Sequence, residues 1–374
     1  MNFEFSEDQK MIQSQARQFL SEQSPLSVAR DVLDDQQSYD KKLWRDIAEL
    51  GWCGIAIPEA YGGLGLGSLE LCVIAQELGR ALTPVPFYST IYLAAELIKA
   101  QGSEQQKQAL LPKIAAGKTV FCLAVAERAG QQLLNANDCQ VSDEQLSGKK
   151  IAVLDGDADY AIVSARAGDS EQTSLYLVAL DQAAVSRDIA KSIDGSRPLS
   201  HITFSSADCA LLGEVDGGRT ALTHAYRQAA VFTSFEQIGG SEAAMQMGME
   251  YTKQRFAFGR SIASFQAIKH IFADMYVAIE LARSNAYYAA WALSADDPQL
   301  PLAAATARVS AIDAYYFCSK ENIEVHGGMG FTWEFDCHLY YKRAQLLSST
   351  IGSSRWWREE LVEQLLTSND ETTI

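Results

Sequence analysis

Two short stretches near the C-terminus combine residue types suited to holding an anionic ligand. The first is Arg255-Phe256-Ala257-Phe258-Gly259-Arg260, followed by Ser264-Phe265-Gln266-Ala267-Ile268. A guanidinium such as that of Arg255 can bind a diphosphate through paired hydrogen bonds. It suits the end of a helix equally well, where a cation complements the dipole, and taken alone that role is the simpler one. The second stretch is Glu324-Val325-His326-Gly327-Gly328-Met329-Gly330-Phe331. Three glycines in four positions let a backbone approach a ligand closely, although a tight turn between helices needs them too. His326 by itself is more readily structural than catalytic. There is no GxSxG, HExxH or P-loop. The glycine run Gly62–Gly67 has no preceding strand, so it reads as a turn between helices.

The elements that must position these residues change along the chain. Residues 1–118 look helical: Phe5, Met11-Ile12 and Phe19-Leu20 recur at helical spacing, and Leu43–Leu50 is amphipathic and stopped by Gly51. Ser68 suits an N-cap for a helix carrying Leu71, Ile74, Ala75 and Leu78. Residues 119–222 turn strand-like, with apolar runs at 120–125, 150–154, 160–164 and 174–178 separated by Gly and Asp, as in an antiparallel sheet or barrel. Residues 223–374 return to long helical runs at 245–255, 267–293 and 303–324, which imply a helical bundle. The expected class is α+β, and the order excludes a simple doubly wound nucleotide fold.

The 374 residues are enough for two or three lobes, and 48% hydrophobic with 21% charged residues is a globular composition. A net charge of −16 argues against general nucleic-acid binding, so an anionic substrate needs a local basic pocket. No run reads as membrane-spanning, and MNFEFSEDQK lacks the profile of a signal peptide. The seven cysteines form no CxxC pair and no zinc-like cluster, so no metal site and reduced thiols in a cytoplasm are expected.

Taken together, the opening FSEDQ, the stretch from Leu50-Gly51-Trp52 to Pro58-Glu59-Ala60-Tyr61-Gly62-Gly63, RFAFGR with its downstream FQAIKH, and HGGMGF resemble the acyl-CoA dehydrogenase family over nearly the whole chain. The resemblance implies an N-terminal helical domain, a middle antiparallel β-barrel and a C-terminal four-helix bundle. It also implies FAD, an acyl-CoA thioester substrate, an electron-accepting flavoprotein and an oligomer. In that family a base removes the α-proton of the thioester while a hydride leaves the β-carbon for the flavin. One protomer holds the flavin ring and supplies the base; its neighbour holds the diphosphate and adenosine. Carried over, the neighbour's set is Arg255, Phe258, Gln266, Gly327 and Gly328, with Glu324 where relatives often have glutamine. An ionised carboxylate accepts hydrogen bonds but cannot donate one.

The protomer's own set departs from the family. Where relatives often read T-E-P-x-x-G-S-D, this chain reads Val125-Ala126-Glu127-Arg128-Ala129-Gly130-Gln131-Gln132, and only Glu127 matches. The tryptophan and threonine that contact flavin are replaced by Ala152 and Leu154. Ile351 stands at the usual base position, and the family's second location for the base falls near Ala229. Glu236, two helical turns further on, is the one displaced candidate, with an intersubunit polar contact as its plainer role. The asymmetry favours a dehydrogenase subunit that lends half an FAD site to a catalytic partner, as in the family's α2β2 assemblies, several of which act on CoA thioesters of steroid side chains. The alternatives are a self-sufficient homo-oligomer with a diverged site and a non-enzymatic CoA-ester-binding or scaffold protein.

Overall fold

The computed structural model describes residues 5–34, 37–130, 134 and 138–370. Helices α1 (Glu7–Gln23), α2 (Leu26–Asp34), α3 (Lys41–Glu49), α4 (Ser68–Arg80), α5 (Glu96–Gln101) and α6 (Glu104–Ala115) come first, with a wide, π-type turn over Tyr88–Ala95. Strands β1 (Phe121–Ala124), β2 (Gln140–Ser142), β3 (Gln145–Leu154), β4 (Tyr160–Ala167), β5 (Ser174–Ala179), β6 (Val185–Ala190), β7 (Leu199–Asp208) and β8 (Ala210–Leu212) follow. The chain ends in α7 (Gly218–Gln254), a hairpin of β9 (Phe256–Ala257) and β10 (Arg260–Ser261), α8 (Gln266–Ser294), α9 (Leu300–His326), α10 (Cys337–Leu347) and α11 (Ser354–Asp370). The order helices, sheet, helices is as expected. Among the described residues the C-terminal part carries the five helices α7 to α11.

The local signals act as their chemistry requires. Ser6 and Gln9 of FSEDQ form a reciprocal capping box on α1, and the Gln9 amide reaches Glu70 at 2.9 Å. Gly51 ends α3 in a left-handed conformation, φ 79°. Ser68 is the first residue of α4 rather than a residue ahead of it.

The closed antiparallel barrel is not found. The eight strands make one sheet in the order β6-β7-β3-β2-β4-β5-β8, with β1 on β4, and among the described residues β6 and β8 do not pair with each other. β8 has three residues and pairs only with β5, while β6 pairs only with β7, so neither end offers a partner for closure. The sheet is also mixed, because β1 and β2 both run parallel to β4.

Compactness divides the chain differently from its element order. One unit holds residues 1–29, 68–83 and 230–374, and the other holds 30–67 and 84–229. In the first, α4 and α7 meet backbone to backbone: a Cβ on Gly79 would sit 1.9 Å from the Glu236 carbonyl oxygen, and one on Gly239 would sit 1.8 Å from that of Gln76. Arg17 bonds Glu77 at 2.9 and 2.7 Å, Arg80 pairs with Glu242, and Arg283 bonds Glu242 at 2.5 Å, joining α1, α4, α7 and α8. α9 packs on α8, α10 and α11.

In the second unit, Lys150 is wholly buried on β3. Its ammonium donates to Glu127 at 2.7 Å, Ser164 at 3.1 Å and the Val125 carbonyl at 3.1 Å. Burial pushes the Glu127 carboxyl up, but the Lys150 bond and charge and the amides of Asp138 and Cys139 outweigh it, so its pKa is lowered. A carboxyl lowered by folding stabilises the fold above its unfolded pKa, and that contribution disappears as pH falls through the folded value. Glu127→Gln should therefore cost about 3 kcal/mol at pH 7 by stranding Lys150. In urea titrations at falling pH, the gap between wild type and variant should close below about pH 4; a gap that stays constant contradicts this account.

Candidate functional site

The C-terminal unit gathers the residues expected to hold an adenosine diphosphate. α7 ends at Gln254, and the Arg255 N–H still donates to the Tyr251 carbonyl at 2.9 Å, so Arg255 leaves the helix on its last turn. The β9–β10 hairpin follows, and Phe258 and Gly259 form its two-residue tip, both with positive φ (54° and 79°). Such a tip normally takes Asn-Gly, and a bulky side chain in this region costs about 1–2 kcal/mol. The tip drives the Phe258 ring almost completely into solvent, at 95% exposure. Phe265 supports it from one side, edge-on at 6.3 Å, and the Arg260 guanidinium lies over the Phe265 ring at 4.0 Å. Gln266 is exposed as the first residue of α8.

Glu324 is exposed in the last turn of α9, and Gly327 follows at φ 60°, ψ −140°, a conformation reserved for glycine. A Cβ on Gly327 or Gly328 would meet nothing within 4 Å, so the turn is open along that edge. His326 behind it is buried, and burial lowers its pKa, only partly opposed by its bond to the Asn322 carbonyl. Phe256, Phe331, Met329 and Trp333 are also exposed apolar residues of these segments. Residues 251–273 contain Lys253, Arg255, Arg260 and Lys269 and no acidic residue, a basic tract in a chain of net charge −16. A diphosphate therefore finds cations, a side-chain amide and open glycine backbone here. These donors fit that part of FAD.

The positions aligned with the flavin ring offer much less. Ala152 lies at an irregularity in the β3–β7 register, has φ 51° and is exposed; its N–H donates to His201 Nδ1 at 3.2 Å. Leu154 is half-buried. Asp155 beside it is held by Arg197 at 3.1 and 2.8 Å and by Ser89 at 2.6 Å. Glu127 is taken up by Lys150. Gln131 and Gln132 lie outside the described residues. A methyl and an isobutyl group supply neither the ring packing nor the hydroxyl of the residues they replace, so this side fits a flavin ring poorly. The structure adds His201, which sequence reasoning missed because its partner is a backbone N–H exposed only by the strand irregularity.

The two positions at which the resemblance puts the base fall in different compact units. Ile351 is fully buried, and its carbonyl accepts from Trp357 Nε1 at 3.1 Å. Ala229, on α7, is fully buried as well and lies in the other compact unit. Glu236 is 4% exposed and lies 3.8 Å from the Arg343 guanidinium, itself buried on α10. Among the described residues no group of three or more His, Cys, Asp and Glu side chains is arranged for a metal. Among the same residues no helix is long and apolar enough to cross a membrane.

The chain is built of an N-terminal helical part, a middle mixed sheet and a C-terminal helical part. Residues 6–118 match the acyl-CoA dehydrogenase N-terminal domain and residues 216–366 its C-terminal domain; the chain belongs to the acyl-CoA dehydrogenase family. It is 31% identical over 352 residues to acyl-CoA dehydrogenase IpdE2 of Mycobacterium tuberculosis, covering 93% of this chain and 94% of that one. A variant of the Tcur3481-Tcur3483 steroid ACAD superposes with TM-score 0.87 at 28% identity, over 97% of this chain and 99% of that one. The ChsE4-ChsE5 complex from Mycobacterium tuberculosis superposes with TM-score 0.87 at 25% identity, over 98% and 99%.

If the strained tip serves ligand contact rather than packing, Phe258→Gly should relieve the backbone without loss of core. Unfolding stability should rise by up to about 1 kcal/mol. A fall in melting temperature would show instead that the Phe258 ring contributes to the fold.

Proposed function

We propose that this chain is the half-site subunit of a heteromeric, FAD-dependent acyl-CoA dehydrogenase. It lends Arg255, Phe258, Gln266, Gly327 and Gly328 to the diphosphate and adenosine of a cofactor whose ring rests on a catalytic partner. What supports the reading is Ile351: the residue at which the resemblance puts the base is a fully buried isoleucine whose carbonyl accepts from Trp357 Nε1. An aliphatic group cannot take the α-proton. Glu236, buried against Arg343, is held as a structural carboxylate. Bound FAD supplies the acceptor for the hydride from the substrate β-carbon.

Each residue of this chain then acts on binding. Arg255 and the basic tract neutralise the diphosphate. Phe258 offers a rigid apolar face where the hairpin has already met the ordering cost. The Gly327–Gly328 backbone lets phosphate oxygens come close. Glu324, lacking a donor, contributes acceptance only. The 28%-identical Tcur3481-Tcur3483 structure is named a steroid ACAD, and ChsE4-ChsE5 is named a complex; these support a bulky CoA thioester and a two-chain assembly here. A downstream electron-accepting flavoprotein completes the scheme.

Two measurements test it. The purified chain should carry well under one FAD, and co-expression with a base-bearing relative should give one FAD per pair of chains. Robust turnover of an acyl-CoA panel by the chain alone, loaded with FAD, would sink the proposal, since general-base assistance is worth about 10²–10⁴-fold. Within the assembled oligomer, Arg255→Ala should weaken FAD binding by about 1.5–3 kcal/mol, the worth of a charged hydrogen bond.

A further inference from the structure

Arg255 and the Gly327–Gly328 turn come from the ends of two different helices, and what sets their spacing lies behind them. Tyr251 sits one turn before Arg255, in the last turn of α7. His326 ends α9 and immediately precedes Gly327. The two rings stack with centroids 4.1 Å apart and planes at 23°. Phe335 meets both edge-on, at 5.8 Å from Tyr251 and 5.7 Å from His326. His326 Nδ1 lies 2.6 Å from the Asn322 carbonyl, one turn back on α9. A carbonyl only accepts, so Nδ1 carries the hydrogen; the bond fixes the ring's rotation as well as its tautomer.

On the reading above, that Arg255 and the glycine turn share a diphosphate, we propose that His326 is the positioning residue that makes them one site. The Gly327–Gly328 turn has open space on the side where a Cβ would project, so its placement comes from the residue at its root. A phenylalanine there would stack on Tyr251 but lack the bond to Asn322. A leucine would fill the volume with neither. Histidine alone among these combines a flat face toward α7 with a donor back to its own helix. The stack ties Tyr251, and through the last turn of α7 Arg255, to the residue that launches the turn.

The test is FAD affinity of the assembled oligomer, read by flavin fluorescence titration, with circular dichroism to verify folding. His326→Leu should weaken FAD binding by about tenfold, and His326→Phe should restore part of the loss. Tyr251→Leu should reproduce the His326→Leu effect from the other side of the stack, and Tyr251→Phe should bind like wild type. His326→Leu combined with Arg255→Ala should lose less than the product of the two single effects, because both act through the same contact. Affinity within twofold of wild type in both His326→Leu and Tyr251→Leu overturns the positioning role. Arg255→Ala reports separately. A loss there with none in His326→Leu keeps the diphosphate site and removes the clamp. A loss in His326→Leu with none in Arg255→Ala keeps the clamp acting on the glycine turn and removes Arg255 from the site.

Discussion

The backbone contact between α4 and α7 at Gly79 and Gly239 is the constraint on which the C-terminal unit rests. Any side chain at either glycine would overlap a carbonyl of the facing helix, so the axes can meet only where both lack a Cβ. Once α7 is pinned there, its remaining four turns have a fixed direction, and Tyr251 and Arg255 are delivered at its end. The same contact brings the Glu236 backbone against α4. Its side chain is buried 3.8 Å from the Arg343 guanidinium. The charged ladder from Arg17 through Glu77, Arg80 and Glu242 to Arg283 then sets the rotation of each helix around that point.

Electrostatics separates the ligand-facing segment from the rest of the molecule. A chain this acidic repels a diphosphate at long range, and screening leaves only charges within about 10 Å to decide the outcome. An acid-free tract from 251 to 273, exposed at Arg255 and Arg260, supplies that local field. Its aromatic neighbours stay exposed although burying them would be favourable by roughly 1.5–3 kcal/mol each. Such an apolar surface beside a basic tract is what the proposed interface with another chain would use.

Much of this was legible in the sequence, and the misses share a cause. The stop at Gly51 and the long helical runs of α8 and α9 are local, and the structure reproduces them. β2, β6, β7 and β8 went unread: β2 and β8 are three residues long, and β6 is mostly exposed, so no apolar run marked them. Barrel closure depends on whether two distant edges pair, which no local pattern records. At the candidate site, Arg255, Phe258 and the glycine turn stood out by motif. The role of Tyr251 did not, because a tyrosine in the last turn of a helix carries no signal until the ring it stacks upon is known. Lys150 was hidden for the opposite reason: it reads as a strand-end cation, and only the sheet shows it buried beneath Glu127.

That burial bears on what Glu127 does in this fold. The two oxygens of Glu127 are occupied by Lys150 and by the amides of Asp138 and Cys139. A carboxylate with those partners is a structural anchor, and removing it would strand a buried ammonium. Retention of Glu127 therefore follows from the fold and says nothing about flavin contact. Ala152 and Leu154 carry no such obligation, and at these two positions the polar and aromatic groups are gone. Phe258 too stands at positive φ, its ring 95% exposed with Phe265 edge-on beside it, so the left-handed backbone at Phe258 and at Ala152 follows from the hairpin tip and the strand irregularity that hold them.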